Sequence, residues 1–329
     1  GAPRDLVDVS VRVGRAEDRL QEAFRFLGPR GSEPFGWDLG PELPVPLAEV
    51  SAARIGRTLY VMGDGSPETW ALDLPTGQWS TRAQRPFPGG HHAVVTFRNK
   101  LYLFGGIGPG VWGKLQIYDT RTDSWTVGPN VPWEAGSLNA VRIGRTVYVS
   151  GGIVATQTVD VHASFDVLSD TWVEVLAPMP AGRNHTAAGT DGRKVYIFGG
   201  RDGANLVANG YDDVQVYDPA TDTWSTVADG LAPLPQARGG MGAAIYHEGE
   251  FFVFGGETLD GPGATPENTY DRVDIYDPQS NTWRVGAPMP TGRHGISPVL
   301  IQGKGRIDVL GGGDVAGDAK SAAYESYYP

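Results

Sequence analysis

The 329-residue sequence carries 27 basic and 38 acidic side chains, a formal net charge of −11, and 10% aromatic residues, which supply apolar surface for a folded core. This acidity disfavours nucleic acid and anionic membranes as partners, and no run of 18 apolar residues could span a bilayer. With no cysteine, the chain offers no disulfide, no thiolate metal site and no cysteine nucleophile.

The first 34 residues lie outside the pattern that fills the rest of the chain. Residues 5–14 alternate like a strand, and residues 15–28 place Leu20, Phe24 and Leu27 at helical spacing before a glycine. We predict a strand and a short helix here, either docked on the following domain or left from a preceding one. Because the chain begins without methionine or a signal-peptide pattern, we expect an artificial or processed fragment, with any targeting segment lying outside it.

From residue 35 onwards the chain repeats one unit. Apolar runs that end in two glycines recur every 42–56 residues, as in "LYLFGG" and "VYIFGG". Each run is followed by a segment such as "YDPATDTW", which has the composition of a strand end, a tight turn and a new strand. The period is typical of propeller blades, and each unit has room for four short strands. The Trp and Tyr side chains should pack between blades and find backbone hydrogen-bond partners.

The glycine pair, the Tyr-Asp-Pro turn, the Trp and the Pro-Met-Pro phrase together resemble kelch repeats, which build β-propellers. The resemblance covers about residues 36–329 and implies an all-β fold. Six tryptophans mark six blades: Trp37, Trp79, Trp125, Trp172, Trp224 and Trp283.

The two ends of the repeat region complement each other. The last unit has its glycine pair at 311–312, but the chain stops before a Trp strand. Residues 35–56 carry Trp37 with no glycine pair upstream. We therefore predict that this N-terminal strand closes the last blade, which removes two exposed sheet edges. The predicted domains are an extension at 1–34 and the propeller at 35–329.

The phrases "LAPMPAGRNHTA" and "GAPMPTGRHGIS" belong to loops that should converge, with the loops after the glycine pairs, at one mouth of the central channel. The residues three positions beyond the bracketing prolines are Glu49, His91, Ala135, Arg183, Arg238 and Arg293. Guanidinium groups hold carboxylates or sulfates with paired hydrogen bonds. We predict an anion-binding rim made of Arg183, Arg238, Arg293, His91, His185 and His294. The alternative is structural: the arginines bind loop carbonyls or neighbouring acids, and the histidines are likewise structural.

The loops at 201–213 and 257–272 are long and adjoin this rim, so they are candidate recognition loops. Their acidic residues show no regular ligand spacing, and we predict neither a metal site nor a cofactor.

The resemblance to kelch proteins also implies which enzymes to consider. Copper enzymes like galactose oxidase need a cysteine-crosslinked tyrosine, and nitrile-specifier-like proteins need Glu, Asp and His spaced four apart; both patterns are absent from the sequence. Sialic-acid mutarotases are similar kelch propellers, and anomer exchange needs only an acid and a base. The candidates are Glu49 with His91, and Glu134 as an acid beside Trp133 as a sugar-stacking surface.

These observations favour a recognition module that binds an acidic glycan or an acidic protein segment at the mouth. Two alternatives stay open: a mutarotase or epimerase acting on an acidic sugar, and a structural module of a larger secreted or surface protein. An extracellular or cell-surface location is favoured over a cytoplasmic one.

Overall fold

The computed structural model describes residues 36–64, 66–110, 112–173, 176–203, 210–259, 263–301, 303 and 305–329, and the backbone of two strands before them. Those two strands, β1 (Leu6–Val13) and β2 (Ala16–Arg25), form an antiparallel hairpin. The strand predicted near the N-terminus is therefore present, but the helix predicted over 15–28 is a strand where it is described. Apolar residues four positions apart share a face in a strand as well as in a helix, so the spacing of Leu20 and Phe24 fits both. Leu27 lies outside the described residues.

All the remaining described strands, except the two of one small hairpin, form six four-stranded antiparallel sheets arranged as a β-propeller, which confirms the predicted all-β fold and six blades. Blade 1 contains β4 (Ala48–Ile55), β5 (Thr58–Asp64), β6 (Ser66–Asp73) and β7 (Gln78–Arg82). Blade 2 contains β8 (Ala93–Phe97), β9 (Lys100–Phe104), β10 (Leu115–Asp119) and β11 (Ser124–Val127). Blade 3 contains β12 (Asn139–Ile143), β13 (Thr146–Ser150), β16 (His162–Asp166) and β17 (Thr171–Val173), with a small hairpin of β14 (Ile153–Val154) and β15 (Gln157–Thr158). Blade 4 contains β18 (Ala187–Thr190), β19 (Val195–Phe198), β20 (Val214–Asp218) and β21 (Thr223–Ser225).

Blade 5 contains β22 (Ile245–His247), β23 (Glu250–Phe254), β24 (Val273–Asp277) and β25 (Thr282–Val285). Blade 6 contains β26 (Ser297–Ile301), β27 (Arg306–Leu310), β28 (Tyr324–Tyr328) and, from the start of the chain, β3 (Gly36–Leu39). One short 3₁₀ helix spans Val227–Asp229. Among the described residues, no helix has the length and apolar character needed to cross a membrane.

Blade 6 closes the ring as predicted. Strand β3 pairs antiparallel with β28, with Trp37 opposite Tyr327. The Trp37 ring lies 4.9 Å from that of Tyr327 and 5.9 Å from that of Phe254 in blade 5, measured between ring centroids. The first strands of successive blades contact one another around the axis, from β4 through to β26 and back to β4.

The six repeated tryptophans tie each blade to the one before it. Every indole N–H donates a hydrogen bond of 2.9–3.3 Å to a backbone carbonyl just beyond the outer strand of the preceding blade. The donor and acceptor pairs are Trp37–Ala287, Trp79–Pro41, Trp125–Ala83, Trp172–Pro129, Trp224–Ala177 and Trp283–Ala232. The tyrosine hydroxyls differ from prediction, since Tyr118 donates to the side chain of Asp123 at 2.6 Å rather than to backbone. Asp123 in turn accepts a hydrogen bond from the Ala83 N–H at 2.8 Å. The aspartate therefore connects Tyr118 to the backbone of the preceding blade.

The glycine pairs are required where blades touch. Gly255 has φ = 55°, and a Cβ there would overlap the carbonyl oxygen of Arg293 in the next blade. Gly255→Ala should therefore lower the free energy of unfolding by about 3 kcal/mol, from left-handed backbone strain plus overpacking.

Gly77→Ala is the matched control, because Gly77 has φ = 69° with open space around its Cβ position. It should lose only about 1 kcal/mol in urea unfolding. Equal losses for the two variants would mean that close packing at the glycine pair is unimportant.

Candidate functional site

One end of the axial channel opens into a cavity of about 150 Å³. Each blade contributes several residues to its lining, and the first of them along the chain lies near the start of the first strand of that blade. These six residues, called here the mouth ring, are Glu49, His91, Ser137, His185, Gly240 and Gly295. The proline-containing phrases and the loops after the glycine pairs meet at this end, as predicted, through backbone bridges such as Asn184–Arg201.

All six mouth-ring residues have left-handed backbone conformations. Their φ angles are 45°, 60°, 50°, 53°, 70° and 58° in chain order. Only two of the six are glycines, so four side chains occupy positions that cost roughly 1–2 kcal/mol each. Strain of this kind is often retained where a side chain is needed for function.

A chain of backbone hydrogen bonds links neighbouring mouth-ring residues around the axis. Four N–H groups donate to the preceding mouth-ring carbonyl, and Val50 N–H donates to the carbonyl of Gly295 across the junction of blades 6 and 1. The four pairs are Ser137–His91 (3.0 Å), His185–Ser137 (3.3 Å), Gly240–His185 (2.9 Å) and Gly295–Gly240 (2.6 Å). These bonds fix the relative positions of the mouth-ring residues, although the residues come from different blades.

The predicted pair of Glu49 and His91 lies side by side. His91 Nε2 is 3.4 Å from Glu49 Oε2, and both side chains are about one-sixth exposed at the mouth. The His91 and His185 rings stand nearly perpendicular, 5.0 Å apart between centroids. His185 Nε2 is also 3.1 Å from the hydroxyl of Ser137. Two imidazoles, a carboxylate and a hydroxyl therefore share one small cavity.

His294 lies behind the mouth ring, next to the carboxylate of Glu49. Its Nδ1 is 3.7 Å from Glu49 Oε1 and 3.4 Å from Glu257 Oε1, and its Nε2–H donates to the Val315 carbonyl at 3.0 Å. Burial acts to lower the pKa of His294, but the neighbouring carboxylates of Glu49 and Glu257 outweigh it and the pKa is raised.

The pKa values of two mouth-ring residues, Glu49 and His185, are also shifted from their ordinary values. Burial acts to raise the pKa of Glu49, but the charge of His91 and the neighbouring imidazole of His294 outweigh it, and the pKa is strongly lowered. Burial, assisted by the charge of Arg201, holds the pKa of His185 well below its ordinary value. At neutral pH, Glu49 is therefore an anion and His185 a neutral imidazole.

The three rim arginines do not face the mouth, and this corrects the predicted anion-binding rim. Arg238 and Arg293 are fully buried and pair with Asp274 (2.8 Å) and Glu325 (2.9 Å). Arg183 is 9% exposed, pairs with Asp213 and stacks over the ring of Tyr211. None of the three belongs to the cavity lining.

The carboxylate partners explain why the arginine phrase repeats. Asp274 and Glu325 occupy the second position of the third strand in blades 5 and 6. In blades 2 and 4 this position holds Gln116 and Gln215, whose amides bond to the backbone of Phe87 and Ala181. A polar side chain at this position therefore ties the proline loop to its blade, by an ion pair or by an amide. The geometry agrees with the structural alternative for the arginines.

The proline spacing aligned His91 with Arg183, and this alignment was wrong because the prolines were matched in the wrong register. The bridge Gly90–Ile107 in blade 2 corresponds to Asn184–Arg201 in blade 4, so His91 is the counterpart of His185 and not of Arg183. Counting from Pro88 instead of Pro86 shifts the alignment of blade 2 by two residues. The position five residues beyond Pro44, Pro86, Pro132, Pro180, Pro235 and Pro290 gives the six mouth-ring residues, including Ser137, which was not predicted from the sequence.

Trp133 and Glu134 lie outside the cavity lining, so the structure does not bring them to Glu49 and His91. Trp133 is half-buried and its indole N–H donates to the Gly151 carbonyl at 3.0 Å, whereas Glu134 is exposed. At the start of the two long loops, Arg201 and Glu257 form a buried ion pair that supports His294.

Comparisons with known proteins agree with this architecture. A family model described as the KLHDC2/KLHL20/DRC7 Kelch-repeats domain matches residues 130–312, and a Kelch motif model matches residues 90–132. Kelch-like protein terF of Aspergillus terreus is 31% identical over 309 residues, which cover 86% of this chain and 65% of that protein. The N-(sulfonatooxy)prop-2-enimidothioate sulfolyase of Thlaspi arvense is 24% identical over 273 residues, covering 74% of this chain and 77% of the enzyme.

Kelch-like protein 23 of Homo sapiens is 29% identical over 211 residues, covering 62% of this chain and 35% of that protein. The chain thus spans about two-thirds of terF and about one-third of Kelch-like protein 23. The solved structure of YjhT superposes with a TM-score of 0.73 at 18% identity, covering 87% of this chain and 96% of that one, and it supports the fold alone. The family match over more than half of the sequence, on six glycine-paired and Trp-tied blades, shows that this chain belongs to the kelch-repeat β-propeller family.

Proposed function

We propose that this propeller recognises a small hydroxyl-bearing ligand, such as a sugar, at the mouth ring. Kelch propellers are generally interaction modules for proteins or ligands. The observation that carries the proposal is the gathering of Glu49, His91, Ser137 and His185, all in left-handed conformations, around one cavity of about 150 Å³.

The chemistry of the mouth ring suits hydroxyl groups. The Glu49 carboxylate and the His185 Nε2 atom accept hydrogen bonds, and the Ser137 hydroxyl can donate or accept one. Such groups recognise a ligand hydroxyl strongly when they are partly desolvated, because a ligand without that hydroxyl leaves them unpaired.

An acidic ligand has less support than the sequence suggested, since the three rim arginines already pair with carboxylates. The raised pKa of His294 favours the charged imidazole beneath Glu49, and that charge would favour an acidic group on the ligand, whereas the Glu49 carboxylate favours a neutral ligand. Acidic and neutral sugars therefore have to be compared directly.

One observation favours a catalytic alternative. Glu49 and His91 lie 3.4 Å apart at the open end of the cavity, within reach of one bound sugar. An acid and a base so placed can move protons between the ring oxygen and the anomeric hydroxyl, as anomer exchange requires. A sugar that binds should therefore also be tested for anomer exchange by NMR.

The proposal is tested by a calorimetric panel of neutral and acidic monosaccharides and acidic peptides. A sugar should bind the wild-type protein, and His185→Ala and Glu49→Gln should each weaken it about tenfold, as for the loss of one hydrogen bond to a partly buried group. His247→Ala is the control, because His247 lies in β22 and does not line the cavity. If no panel member binds, or if both mouth-ring variants bind like the wild type, the proposal is wrong and a structural role in a larger protein is favoured.

A further inference from the structure

We propose that Glu49, His91 and His185 form a binding site for a divalent first-row transition metal ion of the Zn²⁺ type. The proposal goes beyond recognition of a sugar and does not depend on it, because the metal alone is the probe. No sequence motif predicts this site, because its three residues come from blades 1, 2 and 4. Consecutive members of the set are more than 40 residues apart in the chain.

The geometry brings three ligand atoms together. One carboxylate oxygen and one nitrogen from each imidazole all lie within 4.8 Å of one another. A tetrahedral ion with bonds of about 2.0–2.2 Å separates its ligand atoms by about 3.3–3.6 Å. The Glu49 and His91 atoms already have this separation, at 3.4 Å, and the His185 atom lies within 4.8 Å of both, so it needs to approach by no more than about 1.5 Å to complete the site.

Hydrogen bonds from neighbouring residues orient two of the three ligands. Asn184 Nδ2 donates to the Thr158 hydroxyl at 2.6 Å, which turns its amide oxygen towards His185 Nδ1. His185 therefore carries its proton on Nδ1 and leaves the Nε2 lone pair facing the cavity. A metal-binding histidine typically donates its other N–H to an oxygen in this way.

Glu49 is oriented in the same manner. His294 approaches Glu49 Oε1, so Oε2 is left towards His91 and the cavity. The His91 ring is not held by a hydrogen bond at its other nitrogen, since Nδ1 is buried without a hydrogen-bond partner among the described residues. The orientation of Glu49 and His185 is thus fixed before a metal binds, which lowers the cost of binding one.

The ligand set selects the class of ion. Two imidazole nitrogens and one carboxylate suit zinc, iron, cobalt or nickel, whereas Ca²⁺ and Mg²⁺ prefer oxygen ligands alone. Three protein ligands leave at least one coordination position free, and the cavity lies on that side. An oxygen of a small ligand could bind there.

The test is calorimetric titration of the metal-free protein with ZnCl₂, and separately with CaCl₂ and MgCl₂. The wild-type protein should bind one Zn²⁺ and neither of the other ions tightly. His185→Ala and Glu49→Gln should weaken Zn²⁺ about 100-fold or more, and Asn184→Ala, which removes the hydrogen-bond acceptor of His185 Nδ1 but no proposed metal ligand, about tenfold. His247→Ala should bind like the wild type.

A second measurement needs no variant. Co²⁺ added to the wild-type protein should give visible ligand-field absorption of a nitrogen-bound ion with low coordination number, and Zn²⁺ should abolish it. The proposal is overturned if the wild-type protein binds no stoichiometric Zn²⁺, if the mouth-ring variants and the wild type bind it equally, or if Ca²⁺ binds as tightly. Because no sugar is present, failure here leaves the sugar-binding proposal to its own test.

Discussion

Replacing Arg293 by methionine should lower the free energy of unfolding by about 3–5 kcal/mol. The Arg293 side chain is fully buried, and its Nη1 lies 2.9 Å from Oε2 of Glu325, which is 2% exposed. Burial already raises the pKa of Glu325, although the charge of Arg293 acts against this. Removing the arginine leaves a buried carboxylate without its partner, and this cost dominates the expected loss.

Two variants separate this explanation from general disruption. The double variant Arg293→Met/Glu325→Leu leaves no buried charge at this site. It should therefore recover most of the lost stability, as measured by urea unfolding. Arg183→Met should cost less, because the carboxylate of Asp213 is 31% exposed and water can solvate it. If Arg293→Met unfolds like the wild type and instead loses a ligand, then the arginine is a binding residue after all.

Removing the strand that closes the ring should have an effect of similar or greater size. A chain that begins at residue 41 lacks β3, so it loses the pairing with β28 and the packing of Trp37 on Tyr327 and Phe254. It also loses the hydrogen bond from Trp37 to the Ala287 carbonyl. We expect a loss of at least about 5 kcal/mol, measured by thermal or urea unfolding, because the packing of the half-buried Trp37 and the pairing of a whole strand are lost together.

A chain that begins at residue 35 is the matched control. It retains β3 and should unfold like the full chain, which would also establish the domain boundary predicted at residues 34 and 35. Trp37→Ala in the full chain should give a loss of about 3–5 kcal/mol. A ring that stays equally stable without residues 35–40 would show that blade 6 does not depend on this closure.

The blades could be predicted from the sequence because their determinants are local. A glycine pair, a tight turn and a Trp occur at short, regular spacing, and six copies of them leave little room for another fold. The closure by β3 followed from counting strands: Trp37 had no blade of its own and the last unit lacked an outer strand. The repeat also placed Glu49 and His91 in neighbouring blades, which is why a pair 42 positions apart in the chain could be predicted.

The roles of the arginines could not be predicted in the same way. Arg293 turns away from the mouth because it pairs with Glu325, which lies in the third strand of blade 6, 32 residues later in the chain. The spacing of residues in the sequence does not reveal that pairing. The left-handed conformations of His91 and His185 could not be predicted either, because a histidine in the sequence does not indicate a positive φ as a glycine does. The histidine spacing was visible, but only the backbone bridges set the register that brings them together.

The central claim, that function lies at the mouth ring, is tested most directly by ¹⁵N NMR of the six histidine side chains during titration with the sugars of the panel. The sugar that binds should shift the imidazole signals of His91 and His185, while those of His162 and His247, which lie outside the cavity lining, should stay unchanged. Saturable binding that leaves His91 and His185 unchanged would contradict the account and place the ligand elsewhere on the propeller.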